Sequence, residues 1–151
     1  MTTATTESTL RGPAAATGSP RPRRSCLAVP GSSPRFLEKA QSLPADQVFL
    51  DLEDACAPLA KESARHAIVD ALNNGDWGGR TRVVRVNDWT THWTYRDVIT
   101  VVEGAGANLD CIMLPKVQDD VQVKAGVQLR GNPEQGLALC VRVDGHVQSA
   151  I

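Results

Sequence analysis

The 151-residue sequence lacks several features that would point to common functional classes. Its 16 lysine and arginine residues nearly balance its 17 aspartate and glutamate residues, so net charge would attract neither nucleic acid nor an anionic membrane. No apolar run approaches the ~20 residues that a membrane-spanning helix needs. The four cysteines form no C-x-x-C pair, which disfavours a zinc site and predicts buried thiols in a reducing cytosol. We therefore expect a cytoplasmic protein without a nucleic-acid or membrane partner.

Two further absences concern the N-terminal part of the chain. Residues 1–24 contain no apolar stretch of signal-peptide length and are rich in Thr, Ala, Pro and Arg, a composition that predicts a disordered leader. The first apolar run is followed by VPGSSP, which is neither a G-x-G-x-x-G sequence nor a Walker lysine pattern. Because a doubly wound nucleotide-binding fold usually carries a glycine-rich phosphate loop at this point, that fold is disfavoured.

From residue 25 onward, short apolar runs alternate with amphipathic segments. The strand-like runs cover 25–31, 47–54, 81–87 and 111–117. Ser33 and Pro34 predict the start of a helix, and Gly75 predicts the end of the next one. A third predicted helix has one apolar face, formed by Tyr95, Val98, Val102 and Ala105. Four strand–helix repeats of roughly 25–30 residues predict βα units and a parallel sheet.

Polar residues follow the apolar part of each predicted strand. Asp51 and Glu53 share one face of the second run, and Arg85 and Asn87 share one face of the third. In a (β/α)8 barrel the active site lies at the carboxyl ends of the strands, which suits this placement. The predicted fold class is therefore a TIM-type (β/α)8 barrel, of which this chain contains the first four βα units.

Four sequence segments occur in a recognisable order: VPGSSPRFLEKA, VFLDLEDACAPLAKESAR, VVRVN and IMLPKV. Over residues 25–123 the series resembles the citrate lyase beta-subunit and malyl-CoA lyase family of the HpcH/HpaI aldolases. The middle segment DWGGRTRVVRVNDWTTHWTYRDV is most similar to the malyl-CoA (beta-methylmalyl-CoA) lyase branch. The resemblance implies reversible, Mg²⁺-dependent cleavage of a 3-hydroxyacyl-CoA such as malyl-CoA to acetyl-CoA and glyoxylate through an enolate. It also implies binding of an acyl-CoA and a small 2-oxo acid, and a homo-oligomer for the full-length family.

The resemblance assigns roles to individual residues. Arg85 matches the arginine that holds the carboxylate of the oxo acid; the alternative is a structural ion pair with an acid of the second strand. Glu53 and Asp54 match an acidic pair beside the active site, with a helix-capping or salt-bridge role as the alternative. Lys39 matches a lysine that reaches the CoA phosphates, and Arg35 is a second candidate for CoA binding.

Three other residues are weaker candidates. Lys116 ends the fourth strand-like run, but its position in the strand alternation follows the apolar face. His66 lies among helical residues that we expect at the surface. His92 follows the third strand at the end of the barrel that would carry the site, and could approach it.

The last part of the sequence departs from this pattern. After Val123 the glycines and Pro133 predict the interruption of any helix. We therefore expect residues 124–151 to form an atypical tail, produced by truncation or by a changed reading frame. The magnesium ligands of the family, a glutamate on the fifth strand and an aspartate on the sixth, lie beyond the matched region, so we expect no metal ligand here. This chain alone is then predicted to be inactive; the alternative function is a truncated, non-catalytic chain that at most binds acyl-CoA or pairs with a full-length relative.

Overall fold

The computed structural model describes residues 23–129, 138–143 and 146–150. Its strands are β1 (Cys26–Pro30), β2 (Gln47–Asp51), β3 (Thr81–Arg85), β4 (Cys111–Leu114), β5 (Ala138–Val143) and β6 (His146–Ala150). Its α-helices are α1 (Pro34–Ala40), α2 (Lys61–Asn74), α3 (Thr94–Ala105) and α4 (Asp120–Leu129). Nearly all of the predicted leader over residues 1–24 lies outside the described residues.

The strands form one sheet in the order in which they occur along the chain. The pairs from β1–β2 to β4–β5 are parallel, and β6 pairs with β5 in the antiparallel direction. A helix follows each of the first four strands, which confirms the prediction of a partial (β/α)8 barrel. The register aligns Pro30 with Asp51, Asp51 with Arg85 and Arg85 with Met113. The carboxyl ends of these strands therefore lie side by side.

The two faces of the sheet are buried to different extents. On the outer face, Val48, Leu50, Val84 and Leu114 are 0% exposed and belong to the core cluster that includes residues of α1, α2 and α3. Each such aliphatic side chain contributes about 1.5–3 kcal/mol when fully buried. The inner face has a smaller cluster, which consists of Val83, Cys111 and Met113 with Phe49 packed against it. This inner cluster lies below the polar residues at the strand ends.

The predicted helix limits agree with the structure, but one predicted helix face does not. Pro34 is the first residue of α1, and α2 ends immediately before Gly75. Tyr95 is 59% exposed, so its place on the apolar face of α3 is a wrong prediction. The buried residues of α3 are Thr94, Asp97, Val98, Val101 and Ala105. The buried face of α3 differs from the predicted one because Asp97 points into the protein, where its carboxylate pairs with the buried Arg65 of α2.

The prediction that no helix follows Val123 is wrong. Helix α4 runs from Asp120 to Leu129 and includes Gly126. A Cβ atom at Gly126 would lie 2.6 Å from Cδ1 of Leu114, so the glycine lets α4 approach β4 closely. A residue that the sequence pattern presents as a helix breaker is thus a packing residue in this helix.

The cysteines and the membrane prediction can also be compared with the structure. Cys56 is a free, buried thiol as expected, whereas Cys26 is free but exposed and Cys111 is disulfide-bonded. The expectation of buried thiols is therefore wrong for the latter two residues. Within the described part of the chain, no helix has both the length and the apolar character needed to cross a membrane.

We predict that Gly31→Ala lowers the free energy of unfolding by about 1–3 kcal/mol, the usual cost of overpacking. The Gly31 N–H donates to the carbonyl oxygen of Asp51, and a Cβ atom would lie 2.9 Å from that oxygen and 2.5 Å from Cδ1 of Ile68. Urea denaturation of the full chain measures the change. Gly79→Ala is the matched control, because nothing lies within 4 Å of the added Cβ atom; equal stability of the two variants would contradict the packing argument.

Candidate active site at the carboxyl ends of β2 to β4

The carboxylate of Asp51, the last residue of β2, is the centre of a buried hydrogen-bond network. Its Oδ1 accepts the backbone N–H of Glu53 at 2.8 Å and its Oδ2 accepts that of Ala55 at 3.0 Å. The side chain also accepts two bonds from Arg85, and the residue is only 1% exposed. Burial disfavours the charged form, but the Arg85 and N–H donors outweigh it and hold the pKa of Asp51 below its ordinary value. Asp51 therefore remains ionised and shapes the turn that follows β2.

Arg85, the last residue of β3, lies beside Asp51 in the same register row. Its Nε donates to Oδ1 of Asp51 at 2.8 Å and its Nη2 to Oδ2 at 2.5 Å. The guanidinium lies over the ring of Phe49, with Cζ 5.4 Å from the ring centroid. Burial opposes the charge, but the bonds and charge of Asp51 raise the pKa of Arg85 above its ordinary value. The structure thus contains the ion pair with an acid of β2 that was the alternative interpretation of Arg85.

Asp51 binds only one edge of the Arg85 guanidinium. It binds the Nε–Nη2 edge, so the Nη1–Nη2 edge is the one that can bind a second carboxylate side by side. On that side Nη1 lies 3.1 Å from Oε2 of Glu53 and 3.6 Å from Oδ2 of Asp54. The structure therefore brings Arg85 together with both members of the predicted acidic pair.

Glu53 and Asp54 differ in their environments. Glu53 is 6% exposed, whereas the side chain of Asp54 is 63% exposed. Both carboxylate oxygens of Glu53 lie near a cation, at 3.1 Å from Arg85 and 2.9 Å from Lys116. Neither oxygen, however, has a donor in good hydrogen-bond geometry. Glu53 is thus a buried acid held by charge between two cations.

Lys116 completes the cluster from the far side of β3. Its Nζ lies 2.9 Å from Oε1 of Glu53 and 3.3 Å from Oδ1 of Asp54. The sequence placed Lys116 on the apolar, outer face, and the structure corrects this. A backbone φ of +51° at Lys116 breaks the strand alternation and directs the side chain to the strand ends. Left-handed backbone costs a residue with a Cβ atom about 1–2 kcal/mol, and the close contact with the Glu53 carboxylate and its negative charge raise the pKa of Lys116.

A second buried network lies behind the cluster and was missed by the sequence reasoning. Lys61 of α2 donates to the carbonyl oxygens of Leu52 and Glu53 at 2.7 and 2.9 Å, and to Oδ1 of Asn87 at 2.6 Å. These acceptors use all three ammonium protons. Lys61 therefore fixes the backbone of the acidic loop and ties it to the end of β3.

Asn87 continues this network to α3. Its backbone N–H and its side-chain amide donate to Oδ2 of Asp97 at 3.0 and 2.6 Å, and Arg65 donates to Oδ1 at 2.6 Å. Asp97 is 0% exposed. The sequence contained an indication of this network. Lys61 and Arg65 are spaced so that they lie on the same side of α2 as its buried apolar residue Ile68. Cations in line with an apolar stripe indicate buried, paired charges rather than a solvated face.

The two predicted CoA-binding residues lie away from this cluster. Arg35 and Lys39 are exposed and one helical turn apart on α1. Lys39 lines an apolar groove between α1 and β1. Among the described residues, neither side chain has an ion-pair or hydrogen-bond partner. The structure therefore leaves both cations accessible and does not bring them to Arg85.

The two histidines are outside the cluster. His66 is exposed on α2, as predicted. His92 is exposed in the segment that leads into α3, and its ring stacks against that of Trp93 with centroids 4.2 Å apart. Neither histidine has a contact with Arg85 or the acidic pair among the described residues.

The acids do not form a metal site in the part of the chain that the structure describes. No group of three or more His, Cys, Asp or Glu side chains there could hold a metal ion. Mg²⁺ requires oxygen ligands in near-octahedral geometry, whereas the oxygens of Asp51 and Glu53 already face Arg85 and Lys116. The described residues therefore do not fit magnesium.

A family model provides the identification. The model for HpcH/HpaI aldolase/citrate lyase matches residues 24–145. The chain belongs to this family. The match extends beyond residue 123, where the resemblance found in the sequence stopped, and includes α4 and β5. The origin of residues 124–151 in a truncation or a changed reading frame stays a prediction.

Relatives in Cereibacter sphaeroides are similar to part of the chain. An L-malyl-CoA/beta-methylmalyl-CoA lyase is 47% identical over 97 residues, which are 64% of this chain and 30% of the lyase. A (3S)-malyl-CoA thioesterase is 44% identical over 108 residues, which are 72% of this chain and 37% of the thioesterase. The chain thus spans about a third of the length of these relatives.

Solved structures from Mycobacterium tuberculosis have the same fold. The citrate lyase beta subunit complexed with oxaloacetate and magnesium gives a TM-score of 0.61 at 29% identity, over 81% of this chain and 49% of that chain. The CitE protein in complex with magnesium, acetoacetate and coenzyme A gives a TM-score of 0.57 at 29% identity, over 80% of this chain and 40% of that chain. Magnesium is thus present in structures of family members.

We predict that Asp51→Asn lowers the free energy of unfolding by about 3 kcal/mol at pH 7, because it leaves the buried Arg85 without its main counterion. The folded pKa of Asp51 lies below its unfolded value of about 3.9, so this stabilisation is complete above that value. It is lost as the pH falls through the folded pKa. The difference between wild type and variant should therefore shrink only below about pH 4.

Urea denaturation at a series of pH values measures this difference. Asp120→Asn is the control, because Asp120 is 76% exposed and, among the residues that the structure describes, pairs only with Lys124 one turn away. Its loss should cost no more than about 0.5 kcal/mol. Equal effects of the two substitutions would show that Asp51 is not the buried anchor described above.

Proposed function

We propose that this chain supplies the 2-oxo-acid-binding half of a CoA-dependent carbon–carbon lyase. The reaction is the reversible cleavage of a 3-hydroxyacyl-CoA such as malyl-CoA to acetyl-CoA and glyoxylate. One observation carries the proposal: Arg85 is buried and fixed along its Nε–Nη2 edge by Asp51, so that a ligand carboxylate would bind at the Nη1–Nη2 edge, where Glu53 and Asp54 lie near Nη1. Membership of the HpcH/HpaI family supports this interpretation.

The chemistry of the cleavage explains why such an arginine is needed. A base takes the proton of the 3-hydroxyl group, the bond between C2 and C3 breaks, and its electron pair moves onto the thioester as an enolate, which then takes up a proton to give acetyl-CoA. The C3 fragment leaves as the 2-oxo acid, whose carboxylate Arg85 would hold throughout. A carboxylate fixed bidentately keeps the breaking bond in one orientation. Glu53 and Asp54 would orient Nη1 of Arg85 until the carboxylate of the oxo acid displaces them.

Coenzyme A is assigned to the surface of α1. Lys39 and Arg35 are exposed and one turn apart, and Lys39 lines an apolar groove. Two accessible cations at this spacing suit the phosphates of an acyl-CoA. We propose the cytoplasm as the location of the protein, with acyl-CoA and a small 2-oxo acid such as glyoxylate as its ligands, and a homo-oligomer for the full-length protein.

Magnesium belongs to the proposal only as a property of the family. Structures of M. tuberculosis relatives contain it, while the described acids of this chain face Arg85 and Lys116 instead. We therefore propose that its ligands come from outside the described residues, and that this chain alone does not catalyse the reaction. The same observation favours the second candidate function: a non-catalytic chain that binds acyl-CoA or pairs with a full-length relative.

We predict that glyoxylate binds to the full chain through Arg85. Addition of glyoxylate to the ¹⁵N-labelled chain should shift the amide signals at the ends of β2 and β3. Arg85→Gln should weaken glyoxylate binding about 10–100-fold, because it removes a charge-assisted hydrogen bond worth about 1.5–3 kcal/mol. Arg96→Gln is the matched control, since Arg96 is exposed on α3 and makes the same change of charge. If both variants bind like wild type, the assignment of Arg85 is wrong.

We also predict no turnover of malyl-CoA by the 151-residue chain in the presence of Mg²⁺. The assay should measure acetyl-CoA and glyoxylate for a lyase, and free CoA and malate for a thioesterase, because relatives with both names match this chain. Formation of either product pair that Arg85→Gln abolishes would contradict the predicted inactivity and would decide between the two reactions.

A further inference from the structure

The backbone at Lys116 is unusual among the described residues. Lys116 is the one non-glycine residue with a positive φ within the part of the chain that the structure describes, at +51°. Strained residues of this kind persist when the surrounding structure determines their conformation, and they concentrate at functional sites. Lys116 follows Pro115 directly after β4, at the strand ends that carry Arg85 and Asp51.

The strain has a specific structural result. Met113 faces the inner cluster and Leu114 the outer core, so continued alternation would direct residue 116 outward to the helices. The left-handed conformation instead brings the ammonium group within 2.9 Å of Glu53 and 3.3 Å of Asp54. The side chain thus reaches across β3 to acids that follow β2.

The contact bears on Arg85. Glu53 presents one oxygen to Nη1 of Arg85 and the other to Lys116. The two carboxylate oxygens of Asp54 are shared in the same way: Oδ2 lies near Arg85 and Oδ1 near Lys116. Without Lys116, both carboxylates would have Arg85 as their remaining cation in this cluster. They would then compete with a substrate carboxylate for the Nη1–Nη2 edge.

We propose that Lys116 is a positioning residue, which shares Glu53 and Asp54 with Arg85 and so weakens their hold on Nη1, so that the carboxylate of the substrate can displace them from the Nη1–Nη2 edge. This inference rests on the proposed function of Arg85 and deepens it. Lys116 acts through the acids rather than by touching the substrate. Its left-handed backbone is the element that turns the side chain toward them.

A double-mutant cycle with glyoxylate as the probe tests this role. Lys116→Asn removes the ammonium but keeps a residue type that tolerates the left-handed conformation. It should weaken glyoxylate binding about tenfold, within the range of couplings measured between contacting residues. In a Glu53→Gln background the same substitution should weaken binding less than about threefold, because the neutral amide no longer competes for Arg85.

Two controls separate positioning from other effects. Lys116→Arg keeps the cation and should bind glyoxylate like wild type. Lys124→Asn removes an exposed lysine of the same βα unit, whose one ion-pair partner in the described part of the chain is Asp120, and should leave binding unchanged. A general effect of net charge would instead weaken binding in Lys124→Asn and would persist in the Glu53→Gln background.

A measurement without glyoxylate tests the contact itself. The Nζ signal of Lys116 in ¹⁵N NMR should titrate above the ordinary lysine pKa in wild type, because Glu53 favours the charged form. In Glu53→Gln the pKa of Lys116 should fall toward its ordinary value. An unchanged pKa of Lys116 would overturn the inference, since Lys116 would then not contact Glu53.

The outcomes distinguish this inference from the proposed function. If Arg85→Gln weakens glyoxylate binding and Lys116→Asn does not, the role of Lys116 is wrong and the function of Arg85 stands. If glyoxylate binding does not depend on Arg85, both fail. Circular dichroism of Lys116→Asn and of Lys116→Gly, which relieves the backbone strain, should match wild type; an unfolded Lys116→Gly would show that the lysine is needed for folding and would overturn the positioning role.

Discussion

The carboxylate of Asp51 organises the whole candidate site. It receives two backbone N–H groups from the loop after β2 and two N–H groups from Arg85. One buried anion thus determines both the course of the acidic loop and the orientation of the guanidinium on the next strand. Since the residue is 1% exposed, losing Arg85 would leave a buried negative charge with only the two backbone N–H donors. The position of Glu53 and Asp54 is a consequence of this constraint.

The surrounding charges form two layers with different roles. The inner layer is buried behind the strand ends and consists of Lys61, Asn87, Asp97 and Arg65. Hydrogen bonds join these side chains to one another or to backbone carbonyl oxygens. Such a network holds the acidic loop after β2 in place from the interior of the protein. In front of it, Arg85 and Lys116 share Glu53 and Asp54 by ion pairs at longer distances. The inner layer gives rigidity, whereas the outer layer keeps polar groups that a ligand can rearrange.

Most of the fold could be predicted because periodicity and strand-end chemistry depend on local sequence. The alternation in QVFLD and TRVVR predicted which residues share a face, and register then placed Asp51 beside Arg85. Lys116 could not be placed correctly, because nothing in LPKV signals a left-handed backbone at a lysine. Helix α4 was missed because Gly126 reads as a breaker, although close packing against Leu114 requires it. Lys61 and Arg65 were overlooked because their partners, Asn87 and Asp97, lie 26 and 32 residues away.

The direction of β6 has a consequence for how the sheet can grow. β6 runs antiparallel to β5 and pairs with it over five residues, from His146–Val143 to Ala150–Leu139. The N–H and C=O groups along that edge of β5 are the same groups with which a further parallel strand would have to pair. Closure of a complete barrel on this side and retention of the β5–β6 hairpin are therefore mutually exclusive arrangements. The edge of β1 on the opposite side of the sheet, which pairs with no other strand among the described residues, is not subject to that competition.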